Sequence, residues 1–172
     1  MNIARTKNPT KPKPIRIRAG SARDVATIAK LIRDLAKYER LAKECHVSPQ
    51  RLLRHGFGRR RYFETLIATR SGRPVGFALY FFNYSTFAAS PTLYLEDLFV
   101  PGKERRAGVG RALLEALARV AVRRGCARME WAVLDWNVTA IAFYRKLGAK
   151  LRKQWVPTSL ESAPLRRLAG YR

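Results

Sequence analysis

The sequence is short of acid, of cysteine and of long apolar runs, and each shortage removes a class of protein. Its two cysteines, Cys45 and Cys126, are too few for a disulfide framework and too far apart to share a metal, so the expected compartment is a reducing cytosol. The longest apolar run, about Val75 to Phe82, falls far short of the roughly 20 residues that a membrane-spanning helix needs. No apolar core of a signal peptide follows the first residues, and no membrane partner is expected. The 11 glycines and 9 prolines are too sparse for a collagenous or low-complexity chain. Disorder is excluded by the opposite count, since 47% of the 172 residues are hydrophobic. That length fits one domain, which buries about 70% of the surface its unfolded chain exposes.

What the chain has in excess is positive charge. Thirty-five Lys and Arg face 12 Asp and Glu, a formal net charge of +23. Such a balance attracts polyanions: nucleic acid, anionic lipid or a phosphate-rich cofactor. The charge does not choose among them, so the positions of the few acids and glycines must.

Residues 1–14 are polar, basic and proline-punctuated, and read as a disordered arm ahead of a single domain over 15–172. Ile15–Ala19 alternates and predicts a first strand. Ser21 and Asp24 form a capping-box pattern, followed by Val25, Ile28, Leu31, Ile32, Leu35 and Tyr38 at helical spacing. A second helix starts at Ser48-Pro49 and stops at Gly56. Tyr62–Thr69 and Val75–Tyr84 predict two strands joined by a hairpin turn, and Thr92–Val100 a third that Pro101 breaks. A long helix runs from Gly110 to about Arg124, then a strand over Met129–Leu134, then a helix over Thr139–Leu147 closed by Gly148. Leu151–Leu160 is a candidate last strand, limited to an edge or a bulge by Pro157. The order β-α-α-β-β-β-α-β-α-β predicts an α/β or α+β fold around a mixed sheet.

Three constellations carry chemistry. In Arg105-Arg106-Ala107-Gly108-Val109-Gly110, glycines between a strand and a helix let consecutive backbone N–H groups face a diphosphate, and the helix N-terminus adds about half a positive charge. The same run also fits an ordinary tight turn. It matches neither the dinucleotide fingerprint nor a P-loop. Glu96-Asp97 is an adjacent acid pair in an otherwise apolar strand. Neighbouring strand residues point to opposite faces, so one acid enters the core or a cleft, where it needs a partner or a task. Third, Trp136-Asn137 precedes a helix carrying Phe143-Tyr144. Asn137 fits a helix cap, and Tyr144 fits either a core position or a phenol that gives a proton to a leaving group.

Strand with Glu-Asp, Arg-x-x-Gly-x-Gly into a helix, then strand-Asn-helix-Phe-Tyr together resemble the GNAT superfamily of acetyl-CoA-dependent N-acetyltransferases. Leu35-Ala36-Lys37-Tyr38-Glu39, Gly56-Phe57-Gly58, Val75–Phe82, Leu93-Tyr94-Leu95-Glu96-Asp97 and Trp136-Asn137 resemble its diamine (spermidine/spermine) and thialysine branch. The resemblance covers about residues 15–170 and implies a mixed sheet splayed into a V, flanked by helices, with acetyl-CoA in the opening and no metal. It implies that the backbone of Leu98, Phe99 and Val100 holds the pantetheine arm and that Arg105, Arg106, Ala107, Gly108, Val109, Gly110 and Arg111 hold the diphosphate. Asn137, Val138, Thr139 and Ala140 would line the cofactor, Tyr144 would protonate the departing thiolate, and Glu96 would deprotonate the incoming ammonium through water. Tyr38, Glu39, Glu96, Glu130, Trp131 and Ala132 would form the amine side. The resemblance also implies a homodimer and a small-molecule amine partner; nucleic acid, as a secondary partner, is suggested by the charge instead.

Two departures bear on substrate. The loop after the third strand reads Tyr84-Ser85-Thr86-Phe87, without the acid and tryptophan of the polyamine enzymes, and Lys153 stands two residues before Trp155 where relatives carry an acid. A shorter amine, such as a diamine or a thialysine-like amino acid, therefore fits better than a long polycation. The alternative that the charge supports is a basic RNA- or ribosome-associated module, or a protein acetyltransferase, on the same fold. Retention of Glu96, Asn137 and Tyr144 together favours the small-amine enzyme.

Overall fold

The computed structural model describes residues 13–171. All but the last two residues of the basic arm, 1–14, lie outside the described residues. The regular elements are β1 (Ile15–Ala19), α1 (Val25–Tyr38), α2 (Pro49–Phe57), β2 (Glu64–Arg70), β3 (Arg73–Ser85), β4 (Ser90–Phe99), α3 (Val109–Arg123), β5 (Arg128–Trp131), α4 (Val138–Lys146) and α5 (Ser162–Leu168). The chain divides into two compact units, one ending at Ala132 and the other starting at Val133. Among the described residues no helix is long and apolar enough to cross a membrane.

The first unit holds the whole sheet, in the order β1-β2-β3-β4-β5. Its first four strands are antiparallel neighbours and β5 lies parallel to β4, so the expected mixed sheet is present. Side chains alternate across it. Ile67, Phe77, Leu79 and Phe99 meet Val25, Ile28, Leu31 and Leu35 of α1 and Leu52 of α2 in one buried cluster. Fully burying a side chain such as Ile28 or Phe77, both 0% exposed, contributes on the order of 1.5–3 kcal/mol. The other face packs α3, whose Val109, Leu113 and Leu117 are buried. Gly76 permits that approach: a Cβ there would stand 3.0 Å from the Phe99 carbonyl oxygen and 3.1 Å from Val109 Cγ1.

The capping pattern at the start of α1 is present and extended. Ser21 donates its N–H and hydroxyl to Asp24 Oδ2, both at 2.8 Å, and Arg18 adds a two-pronged contact at 2.7 and 2.6 Å. These donors, the Arg18 guanidinium first among them, hold the Asp24 carboxyl well below the usual range. At α2, Ser48 Oγ accepts from the Arg51 N–H at 3.2 Å and Pro49 occupies the first turn, as its sequence predicts.

The second unit contains α4 and α5. Gly148 has φ +88° and ends the helical path just beyond α4, the left-handed role expected of it. Two strand expectations are corrected. The strand placed at Met129–Leu134 is β5 over Arg128–Trp131, because its ladder with β4 stops at the pair Leu95–Trp131. The last strand placed at Leu151–Leu160 is absent: 149–161 carry no helix or strand, and a short helix, α5, follows. Trp155, Val156 and Leu160 are 67%, 83% and 52% exposed, so no strand lies alongside to complete a ladder, and Pro157 has no N–H to give one.

Candidate active site

The pairing of β4 with β3 slips once. Leu95 faces Tyr80 and Asp97 faces Leu79, so Glu96 is an extra residue, a β-bulge. Before it, β4 also pairs with β5, from Thr92–Arg128 to Leu95–Trp131; beyond it, β4 has no β5 partner. The stretch Leu98-Phe99 therefore runs on with one edge paired to β3 and the other without a strand partner among the described residues. Strain-free strands with a free edge offer backbone N–H and C=O groups to an extended ligand.

That strand leads into the glycine turn. Gly108 has φ +81° and precedes α3 without a side-chain cap; Arg106 is also left-handed, at φ +61°. The first helical bond runs from the Ala112 N–H to the Gly108 carbonyl, 3.0 Å. The N–H groups of Val109, Gly110 and Arg111 thus come before any helical acceptor, which makes an anion-binding end. Ala107 and Gly108 are exposed. The turn is fastened from behind by Arg70, which pairs with Glu104 at 2.7 Å and donates to the Ala107 carbonyl at 3.4 Å. Arg105 folds back instead of outward. Its Nε donates to the Val100 carbonyl at 3.0 Å and its guanidinium stacks 4.2 Å from the centre of the Tyr38 ring. Arg111 is engaged with Glu115 on its own helix at 2.8 Å, which leaves Arg106 the outward-facing cation of the turn.

The carboxylates gather at the bulge. Glu96 is exposed, while Asp97 is half-buried and shares the α1 side of the sheet with Phe99. Burial, and then the nearby charges of Glu96 and Glu39, push the Asp97 carboxyl up to about 7. Among the described residues Asp97 has no hydrogen-bond or salt-bridge partner. Glu39, just past the end of α1, is raised by burial alone. Tyr94 is raised by burial and then by Glu96 and Glu130. Glu130 faces Tyr94 across the ladder and pairs with Arg128 at 2.7 Å. Trp131 is half-buried opposite Leu95, and Ala132 is exposed where the first unit ends.

In the second unit, Asn137 caps α4: its Oδ1 accepts from the Ala140 N–H at 3.2 Å. Val138 and Thr139 are exposed in the first turn. Tyr144, farther along the same helix, is half-buried, with its ring 5.5 Å from that of Phe143.

The first unit thus brings together Tyr38 with Arg105, Asp97 with Glu39 and Glu96, and Glu130 with Tyr94. Two side chains here are not placed by local sequence. The acid pair leaves open which member turns inward, and it is the pairing of β4 with β3 that sets Asp97 on the α1 side, near Glu39. Arg70 carries no local signal at all, since its partners lie 34 and 37 residues away.

Residues 29–149 match the model of the Acetyltransferase (GNAT) family. Thialysine N-epsilon-acetyltransferase of Bos taurus is 35% identical over 167 residues, covering 91% of this chain and 98% of that protein. L-ornithine N5-acetyltransferase of Arabidopsis thaliana is 49% identical over 80 residues, covering 46% of this chain and 35% of its own length. Among solved structures, an integron cassette protein from the mobile metagenome of V. cholerae superposes with a TM-score of 0.76 at 25% identity, covering 90% of this chain and 97% of that one.

Proposed function

Because the chain belongs to the GNAT family of acetyltransferases, we propose that it moves the acetyl group of acetyl-CoA directly to a primary amine of a small molecule, a short diamine or a thialysine-like amino acid. The observation that carries this reading is the single strand β4, which joins an acid-bearing bulge, an open edge and a glycine turn in that order. The turn suits a diphosphate: a φ of +81° at Gly108 and a helix end with unclaimed N–H groups let backbone approach phosphate closely. Arg106 supplies charge there, and Arg70 keeps the turn in place. Val109, Gly110 and Arg111 offer the N–H groups, and Leu98 to Val100 offer strand edge. Acetyl-CoA, when bound, supplies an activated acyl carbon and a thiolate leaving group.

The residues of this chain do the rest. Glu96 accepts the proton of the incoming ammonium through water, freeing the nitrogen lone pair for attack. Glu39 and Glu130 hold positive charge on the amine side, and Tyr38, pinned by Arg105, borders it. Asp97 sets how much negative charge the ammonium meets, because it ionises near neutral pH. Tyr144 returns a proton to the departing sulfur. The atoms balance: one N–C bond forms and one C–S bond breaks, the ammonium gives one proton to Glu96 before attack, the phenol proton goes to sulfur, and the second nitrogen proton, acidic once the N–C bond has formed, restores the Tyr144 phenol. Residues 15–172 act as one acetyltransferase domain, in the cytosol and as a homodimer.

Acetyl-CoA consumption across a panel of diamines, polyamines and lysine analogues tests the reading. The expected order places a short diamine or thialysine-like amine above spermine in kcat/KM, because Ser85 and Lys153 stand where a distal ammonium would need acids. Lys153→Glu should raise spermine activity and narrow the gap. Preference for spermine, unchanged by Lys153→Glu, refutes the substrate assignment; no consumption with any amine refutes the activity.

A further inference from the structure

A second charged feature lies on the α3 face of the sheet, toward the opposite end of α3 from the glycine turn. It is a groove of about 480 Å³ between β1 and the second half of α3, with Arg18, Arg119, Arg123 and Arg124 along it and Glu64 the one lining carboxylate. The four arginines are not equally occupied. Arg18 is bound to Asp24 at 2.6 Å. Arg124 reaches Glu64 at 3.5 Å and lies over the Phe82 ring at 5.4 Å. Arg119 and Arg123 have no salt bridge among the described residues, although they sit four residues apart on one helix, where like charges repel. The floor offers no competing donor: Tyr80 is 3% exposed, and its hydroxyl is committed to Glu64 at 3.0 Å.

We propose that this groove binds the phosphate backbone of single-stranded RNA, independently of the amine chemistry. Guanidinium groups suit phosphate oxygens because they present paired donors in a plane. Two unneutralised arginines in a groove, on a chain of net charge +23, favour an extended polyanion over a small one. Of the aromatic rings nearby, Tyr80 is buried and Phe82 is half-buried beneath Arg124, so neither is free to stack on a base. Binding is therefore blind to sequence and strongly salt-dependent.

The test measures binding of a fluorescein-labelled single-stranded RNA 20-mer by anisotropy across a salt series, with excess CoA present so that the glycine turn is filled. Arg119→Ala with Arg123→Ala should weaken binding at least about fivefold and lower the slope of log affinity against log salt by about 1.4, the share of two phosphates at about 0.7 each. The control pair Arg51→Ala with Arg54→Ala removes equal charge from the exposed side of α2 and should change the slope much less. Alanine keeps α3 helical, and circular dichroism checks it. Equal losses in the two double variants mean diffuse charge alone and overturn the proposal. Displacement of the RNA by millimolar ADP means a free-nucleotide site and overturns it too.

Discussion

Replacing Asp97 by Asn should make the protein more stable and less able to capture its amine, and the two effects should share one pH dependence. In the unfolded chain this carboxyl ionises near 3.8; in the fold, burial beside Glu96 and Glu39 pushes it up to about 7. Below 3.8 both states hold the proton and nothing is lost. Between these values the unfolded state gives up its proton while the folded state keeps it, so stability falls as pH rises, by about 1.4 kcal/mol per unit. Above 7 both states are ionised and the penalty levels off at about 4 kcal/mol, an upper figure because a half-buried site is partly relieved by solvent. Asparagine does not titrate, so the stability gain of the variant should follow that curve: about 1.6 kcal/mol at pH 5 and about 4 at pH 8. At roughly 2–4 °C per kcal/mol for a chain of this size, the Tm gain should be several degrees larger at pH 8 than at pH 5. In parallel, wild-type kcat/KM should rise through about pH 7 as the amine site gains negative charge, and Asp97→Asn should flatten that limb. Thermal unfolding at the two pH values and a pH profile of acetyl transfer read both effects. An equal Tm change at pH 5 and pH 8 would refute the reasoning, whatever happened to the rate.

Other perturbations address the cofactor and the leaving group. Gly108→Val forces a branched side chain into φ +81° and covers the amides of the turn, so calorimetric CoA binding should be lost while the circular dichroism spectrum is kept. Unchanged affinity would remove the diphosphate from that turn. Tyr144→Phe keeps the ring against Phe143 but deletes the phenol proton, and should lower kcat by about 10²–10⁴-fold with cofactor affinity nearly unchanged. Turnover at the wild-type rate would leave Tyr144 a packing residue.

The parts of this structure that depend on period and capping were legible in the sequence. The stripe Val25, Ile28, Leu31 and Leu35 is buried as its spacing requires, Ser48 caps α2, and Asn137 caps α4. Each is decided by residues a few positions apart. The bulge at Glu96 is different in kind. It is a relation between β4 and β3, and no glycine or proline marks it, so the strand reads as an unbroken run. The stacking of Arg105 on Tyr38 and the fastening by Arg70 likewise join distant parts of the chain. The mistaken strand at Leu151–Leu160 has the converse cause: its apolar residues resemble a strand, but a strand needs a neighbour, and none lies there. Helix α5 was missed because seven residues, with Pro164 inside them, leave almost no period to detect.

Glu96 also shows what the scaffold can do without. If that one residue were deleted, Leu95 would still face Tyr80 and Asp97 would still face Leu79, now as consecutive rungs of a regular ladder. Every core side chain of β4 would keep its layer. The sheet therefore has no architectural use for the insertion, which interrupts an otherwise complete hydrogen-bond pattern. The one residue that the β3–β4 ladder does not need stands where the β4–β5 ladder ends, so the acid is carried by an insertion that the core packing does not require.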